Sequence, residues 1–211
     1  MSIFEDMYAR HPDTKWYRKQ QNVDYKLDVW MDTILNNYTA GTVIDLGCGA
    51  GYDSIRFVER EWKVNAYDIA TTPIANLNML YPIINAVVAD VTKIDLPVAA
   101  DVILDIGAMH CIEDASAHAA KIKKSLRPGG VLLLSHFSHM TRCPFIVYPK
   151  SIEALDELFS PMIRVAHNII KNPAVGTGRA DDIELDPVIR MCAAQTASVS
   201  SESHEVLYTN V

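Results

Sequence analysis

The stretch Val43-Ile44-Asp45-Leu46-Gly47-Cys48-Gly49-Ala50-Gly51 constrains this chain more than any other. A short apolar run ends in glycines at alternate positions. Residues 52–61 follow, with Ile55, Phe57 and Val58 at helical spacing. Glycine takes positive φ and lets a backbone approach its neighbour closely. The first turn of a helix presents N–H groups that have no intrahelical acceptor. A strand that runs through such a loop into a helix predicts a ligand-binding turn at a strand's carboxyl end.

The spacing separates the ligand classes that use such turns. A dinucleotide loop needs G-x-G-x-x-G. Here the third glycine comes one residue early, and Tyr52 stands where that pattern wants Gly or Ala. No Lys-Ser/Thr pair follows, so the loop is not a P-loop either.

The rest of the chain alternates strand and helix. Residues 22–38 place Val23, Leu27, Trp30, Met31, Ile34, Leu35 and Tyr38 on one helical stripe, with Trp30, Met31 and Leu35 expected in the core. Residues 64–67, 84–89, 101–104 and 131–135 read as short buried strands. Thr72-Pro73 reads as an N-cap followed by proline at the first helical position. Residues 114–126 read as a helix stopped by Arg127-Pro128-Gly129-Gly130, and residues 151–159 as a capped helix. Beyond Met162, residues 162–170 predict a strand, partnered by either 188–196 or 204–208, with 171–186 as a loop. This alternation implies βαβ units and a mostly parallel sheet, with function concentrated just after each strand.

Composition narrows the field less. The 211 residues suit a single domain, with 1–40 as an N-terminal flap and helix, 41–138 as the ligand-binding core and 139–211 as a substrate-side part. The net charge of −7 argues against nucleic acid as a main partner. A local basic entrance from Arg10, Lys15, Arg18, Lys19 and Lys26 remains compatible with that balance. Residues 1–10 carry acids and no apolar run, so no signal peptide is expected there. The longest apolar stretches, such as 131–134, are too short to span a membrane. Cys48, Cys111, Cys143 and Cys192 form no CxxC pair, so a cytoplasmic, reducing setting is expected.

With Asp45 ahead of its three glycines, the loop resembles the first motif, D/E-x-G-x-G-x-G, of the class I S-adenosylmethionine-dependent methyltransferases. The later strand ends are similar in order and spacing: Asp68 after the second strand, Ala89-Asp90-Val91 after the third, and Asp105-Ile106-Gly107-Ala108-Met109-His110 after the fourth. Leu126 to Leu134, through Arg127-Pro128-Gly129-Gly130, looks like the family's helix, turn and fifth strand. The resemblance covers residues 42–138. The short length, with residues 105–110, is most like the small-molecule group that includes thiopurine and tellurite-resistance-type enzymes. It implies a doubly wound, mostly parallel α/β sheet of seven strands, with helices on both faces and the last strand antiparallel.

The resemblance also implies roles. Gly47, Cys48, Gly49 and Gly51 would contact the methionine part of S-adenosylmethionine, and Asp45 its ammonium. Asp68, with Ile69 after it, would hold the ribose, since a carboxylate can take two hydroxyl donors. Asp90 and Val91 would meet the adenine, and Asp105 and Ile106 would border the sulfonium. Tyr8, Trp16 or Tyr17 could close the site with a π-face, and Arg18 could meet the carboxylate. Cys48 is a structural residue in this reading, not a nucleophile.

His110 is the candidate catalytic residue, as a proton acceptor near neutral pH. His136 and His139 face the same rim. With Glu113 and Asp114 these histidines match no metal spacing, so no metal is expected. The leading expectation is methyl transfer to a small molecule, with S-adenosylhomocysteine as product and a monomer or homodimer as the working unit. Methylation of a protein or RNA, and a cofactor-binding regulatory module without catalysis, are the alternatives. An oxidoreductase is disfavoured by the glycine spacing.

Overall fold

A computed structural model of the protein describes residues 3–10, 26–139, 150–171 and 202–211. Its elements run α1 (Ile3–Arg10), α2 (Lys26–Asn37), β1 (Thr42–Leu46), α3 (Tyr52–Val58), β2 (Lys63–Asp68), α4 (Thr71–Leu80) and β3 (Asn85–Val88). They continue with β4 (Ala100–Ile106), a 3₁₀ turn (Met109–Cys111), α5 (Ala115–Ser125), β5 (Leu126–His139), α6 (Ile152–Phe159), β6 (Ile163–Lys171) and β7 (Glu202–Thr209).

The strands make one sheet in the order β3-β2-β1-β4-β5-β7-β6. β1 to β5 run parallel, and β7 lies antiparallel between β5 and β6. This is the doubly wound, seven-stranded α/β architecture expected from the sequence. From β1 the chain builds outward to β2 and β3, then returns to place β4 on the other side of β1. That reversal leaves a crevice at the carboxyl ends of β1 and β4, where open α/β sheets bind ligands.

Alternation along the strands divides the core between two faces. Val43, Val102, Leu104 and Leu133 pack with α2, α3 and α4 through Met31, Phe57 and Leu77. Ile44, Ile103, Leu132 and Leu134 pack with α5 and α6 through Ala119, Ile122, Leu155 and Phe159. Val87 and Val88, on the edge strand β3, remain exposed, so coverage on both faces holds for the central strands and not for this one. Met31 is fully buried as expected, whereas Trp30 and Leu35 are half-buried on the rim of that core.

Two caps are local and agree with their sequence signals. Asp114 accepts from Ala117 N at 2.9 Å, and Ser151 from Ala154 N at 3.3 Å. Two others are long-range. α4 does not start on a Thr72 cap with Pro73 next, because its N-cap is Ala70, in extended conformation and without a side-chain acceptor. Glu5 of α1 fills that role, accepting from Thr71 N, Thr72 N and the Thr72 hydroxyl. At the start of α2, Glu205 of β7 accepts from Lys26 N at 2.7 Å. A carboxylate at a helix N-terminus also complements the helix dipole.

Of the two strands offered as the partner of residues 162–170, 204–208 lies within β7, and 188–196 falls outside the described residues. No helix among the described residues is long and apolar enough to cross a membrane.

Candidate functional site

β1 delivers the glycine loop to the crevice. Gly47 N and Cys48 N both donate to Tyr67 O of β2, at 2.8 and 3.0 Å, which bends the chain over the neighbouring strand. Gly47, Gly49 and Gly51 hold φ of 71°, 52° and 75°. At Gly47 a Cβ would meet the Cβ of Ala108 at 2.8 Å, and at Gly49 it would collide with the Tyr8 hydroxyl. Tyr8 is itself 5% exposed, so α1 lies over the loop with this ring as its contact.

Asp68, at the end of β2, fastens the loop from the other side. One carboxylate oxygen accepts from Gly49 N and the other from Ala70 N, each at 2.8 Å. The Ile69 amide also bonds this carboxylate, and of its roughly four acceptor sites one is left for a hydroxyl donor. Burial pushes the Asp68 carboxyl up, against the pull of these N–H groups, and the charge of Glu5 adds to the rise. Ile69, the next residue, is 47% exposed. Asp45 is buried and accepts from the Ser54 hydroxyl at 2.7 Å, so it sits under the first turn of α3. Burial, then the charges of Asp45 and Asp68, push the Cys48 thiol well up, which keeps it protonated and unsuited to nucleophilic attack.

Beyond β3, Asp90 turns into its own loop. It accepts from the Thr92 hydroxyl at 2.6 Å and pairs with Lys93 at 2.8 Å, and these hold its carboxyl down at about 2. Val91 is buried, and its carbonyl accepts from Lys121 of α5 at 2.8 Å.

The ends of β4 and β5 differ in character. Asp105 is 0% exposed; its oxygens take Met109 N at 2.9 Å and His118 Nε2 of α5 at 2.7 Å. It therefore faces α5 rather than the glycine loop, while Ile106 points into the opposite core layer. His110 is 5% exposed and lies 5.7 Å from His136 and 5.2 Å, edge-on, from Phe137, centroid to centroid. Burial pulls His110 down to about 4 against the charge of Asp105, and pulls His136 down to about 3. His136 pairs in register with His204 of β7, whose Nδ1 lies 2.8 Å from His167 Nε2 on β6. A row of imidazoles thus crosses the sheet on its α5–α6 face.

The fold brings Tyr8, Asp45, Gly47, Cys48, Gly49, Gly51 and Asp68 to one crevice, with His110 following the neighbouring strand end. Trp16, Tyr17 and Arg18 lie outside the described residues, as does the side chain of His139. Among the described residues no group of His, Cys, Asp or Glu is arranged to hold a metal. Sequence reasoning missed Glu5, Ser54 and His118. Each acts on a partner in another element, and none carries a spacing signal.

A family model described as a methyltransferase domain matches residues 38–179. A probable S-adenosylmethionine-dependent methyltransferase of Mycobacterium tuberculosis is 29% identical over 132 residues, covering 61% of this chain and 45% of that protein. The chain thus spans under half the length of this relative. Among solved structures, TehB from Haemophilus influenzae superposes with a TM-score of 0.68 at 15% identity, over 99% of this chain and 67% of that one. A Burkholderia thailandensis 1,6-didemethyltoxoflavin-N1-methyltransferase, holding 1,6-didemethyltoxoflavin and S-adenosylhomocysteine, gives 0.65 at 18% identity, over 99% and 84% of the two chains. At these identities the structures speak for the fold.

Proposed function

Since the chain belongs to the family of methyltransferase-domain proteins, we propose that it transfers the methyl group of S-adenosylmethionine to a small-molecule acceptor. The observation that carries this reading is the glycine loop clamped between Asp68 and Tyr8. The residues present suit the cofactor. Backbone amides head α3, Asp45 and Asp68 offer negative charge and hydroxyl acceptors, and the three glycines of the loop leave its backbone open to close approach. When bound, the cofactor supplies a methyl group already activated by a sulfonium charge. What the protein must add is mainly alignment, which can contribute ~7–11 kcal/mol in favourable cases.

In this proposal Gly47, Cys48, Gly49 and Gly51 line the methionine part, with Asp45 near its ammonium. Asp68 and Ile69 serve the ribose, and Asp90 and Val91 the adenine. Asp105 and Ile106 bring the backbone of β4 to the reaction centre. Tyr8, Trp16 or Tyr17 would close the site, and Arg18 would meet the carboxylate of the methionine part. His110 stays neutral at pH 7, because its protonation falls at about 4. A base this weak orients the acceptor's donor group or takes a proton that leaves readily, and does not extract one from a strongly basic alkoxide precursor. The small-molecule class is supported by fold neighbours such as the 1,6-didemethyltoxoflavin-N1-methyltransferase, which has 1,6-didemethyltoxoflavin and S-adenosylhomocysteine bound. A cytoplasmic location and a monomer or homodimer are part of the same reading.

Calorimetry with S-adenosylmethionine, S-adenosylhomocysteine and NAD tests the first half: the sulfur compounds bind and NAD does not. S-adenosylhomocysteine formation over a panel of thiols, phenols, heteroaromatic amines and carboxylic acids tests the second. Tight cofactor binding with no acceptor in that panel would favour a macromolecular substrate or a regulatory module.

A further inference from the structure

We propose that His118 of α5 is a positioning residue for the acceptor side of the site: it grips Asp105, which in turn fixes the turn that carries His110. The chain of contacts is short and enclosed. His118 Nε2 lies 2.7 Å from Asp105 Oδ2, with the two side chains 1% and 0% exposed. Asp105 Oδ1 accepts from Met109 N, the residue before His110, at 2.9 Å. Backbone bonds run within the turn from Cys111 N to Ala108 O and from Ile112 N to Met109 O, and Gly107 N donates to Ser135 O of β5. The Asp105 carboxylate anchors the start of the turn through Met109 N, and His118 holds the other oxygen of that carboxylate.

The arrangement is chemically expensive. The buried side-chain nitrogens and oxygens lacking a hydrogen-bond partner, among the described residues, are His110 Nδ1, His118 Nδ1 and both ring nitrogens of His136. All lie around the ends of β4 and β5. Orphaned polar groups in a core call for an explanation other than stability. An apolar side chain at 118 facing an apolar one at 105 would fill the same space without that penalty. The polar pair has a use if it must hold a backbone N–H in place and thereby aim an imidazole.

α5 is built for the task. Asp114 caps its start. Lys121, one helical turn from His118, donates to the carbonyls of Val91, Thr92 and Ile94 at 2.8, 3.1 and 2.6 Å. One helix therefore grips the loop after β3 with a lysine and the turn after β4 with a histidine. Displacement of α5 would move the Asp90 loop and the His110 turn together.

The inference rests on the methyltransferase reading for what the turn serves, and its test is separable from that reading. His118→Gln keeps an N–H within reach of Asp105, and His118→Leu removes it. Proteins with labelled histidine rings are followed by NMR across pH with S-adenosylhomocysteine present, alongside exchange of the Met109 amide and calorimetric affinity for S-adenosylhomocysteine. The groups facing His110 are Asp105 from β4 and His136 and Phe137 from β5.

In His118→Leu the protonation midpoint of His110 rises by about a unit or more as its turn loosens, and Met109 exchange quickens about tenfold or more. His118→Gln restores both, and S-adenosylhomocysteine affinity stays within about twofold throughout. An unchanged His110 midpoint and Met109 exchange in a folded His118→Leu protein overturns the proposal, as does equal damage from the glutamine. If the leucine variant does not fold, His118→Asn, too short to reach Asp105, supplies the same readouts. Failure of wild-type protein to bind S-adenosylhomocysteine would sink the methyltransferase reading instead, and the ring and amide measurements would still decide the positioning.

Discussion

The ends of β1 and β2 and the ends of β4 and β5 border one crevice, yet they are built by different means. At β1 and β2 the functional groups are backbone amides and a carboxylate within 20 or so residues of chain, as in the Gly49 N to Asp68 Oδ2 bond, which spans 19 positions. At β4 and β5 they are buried imidazoles from the 3₁₀ turn, α5, β5 and β7, gathered by the sheet. The first region contains no buried side-chain polar atom without a partner among the described residues, and it depends on glycine at three positions of positive φ. The second holds every orphaned polar side-chain atom seen among the described residues. A ligand cradle made of backbone tolerates little variation in its residues. A cluster of side chains can be retuned one residue at a time, which would suit the acceptor side of the proposed site.

Acid should strike the histidine region hardest. The folded state holds His110 down from 6.5 to about 4 and His136 from 6.5 to about 3. Above the unfolded value both states are neutral and these groups contribute nothing to the balance. As pH falls through 6.5 the unfolded chain takes up protons that the folded chain refuses, so stability declines until about pH 3. The loss for His110 alone is ~3 kcal/mol at one pKa unit per 1.36 kcal/mol. Denaturant melts at a series of pH values check this. A His136→Leu protein should lose less stability over the same range, and an equal loss would remove His136 from the account.

The glycine region should break at a single Cβ. Gly49→Val places a β-branched residue at φ 52° against the Tyr8 hydroxyl. The strain of such a conformation, about 1–3 kcal/mol, should lower S-adenosylhomocysteine affinity ~10- to 100-fold. Calorimetry reads it, and unchanged affinity would mean that the cofactor does not use this loop. Asp68→Ala removes the acceptor of Gly49 N and Ala70 N together with the proposed ribose contact. Loss of about tenfold or more in affinity is expected. A normal affinity would leave Asp68 as a loop fastener only.

The smallest effect belongs to the long-range cap. Glu5→Ala deprives Thr71 and Thr72 of their acceptor and should cost about 1 kcal/mol or less in thermal stability. Because α1 also carries Tyr8, cofactor affinity should fall modestly in the same variant. Loss of the cap without any change in affinity would separate the docking of α1 from the site.

Much of this was legible in the chain because it is encoded locally. Strand, glycine turn and helix follow one another in residues 42–58, and each has its own period or punctuation. The acids after β2 and β3 could be placed by counting from them. Where the pattern misled, a distant group had replaced a local one. Thr72-Pro73 is a sound capping signal, but Glu5, 67 residues earlier, reaches α4 first. His110 and His136 were legible as neighbours at adjoining strand ends, but His118 was not, since it acquires its meaning from the contact of α5 with Asp105 of β4.

The amino-acid sequence by itself determined the α/β class, the glycine turn and the acids beside it, since strand period, glycine φ and helix termini are properties of short segments. Only the tertiary structure decided that Asp105 faces His118 rather than the crevice, and that helices α2 and α4 are capped by Glu205 and Glu5. It alone decided that imidazoles from separate strands and helices share one buried layer. Those outcomes depend on which strands become neighbours and which face each side chain takes, and the sheet order β3-β2-β1-β4-β5-β7-β6 settles both at once.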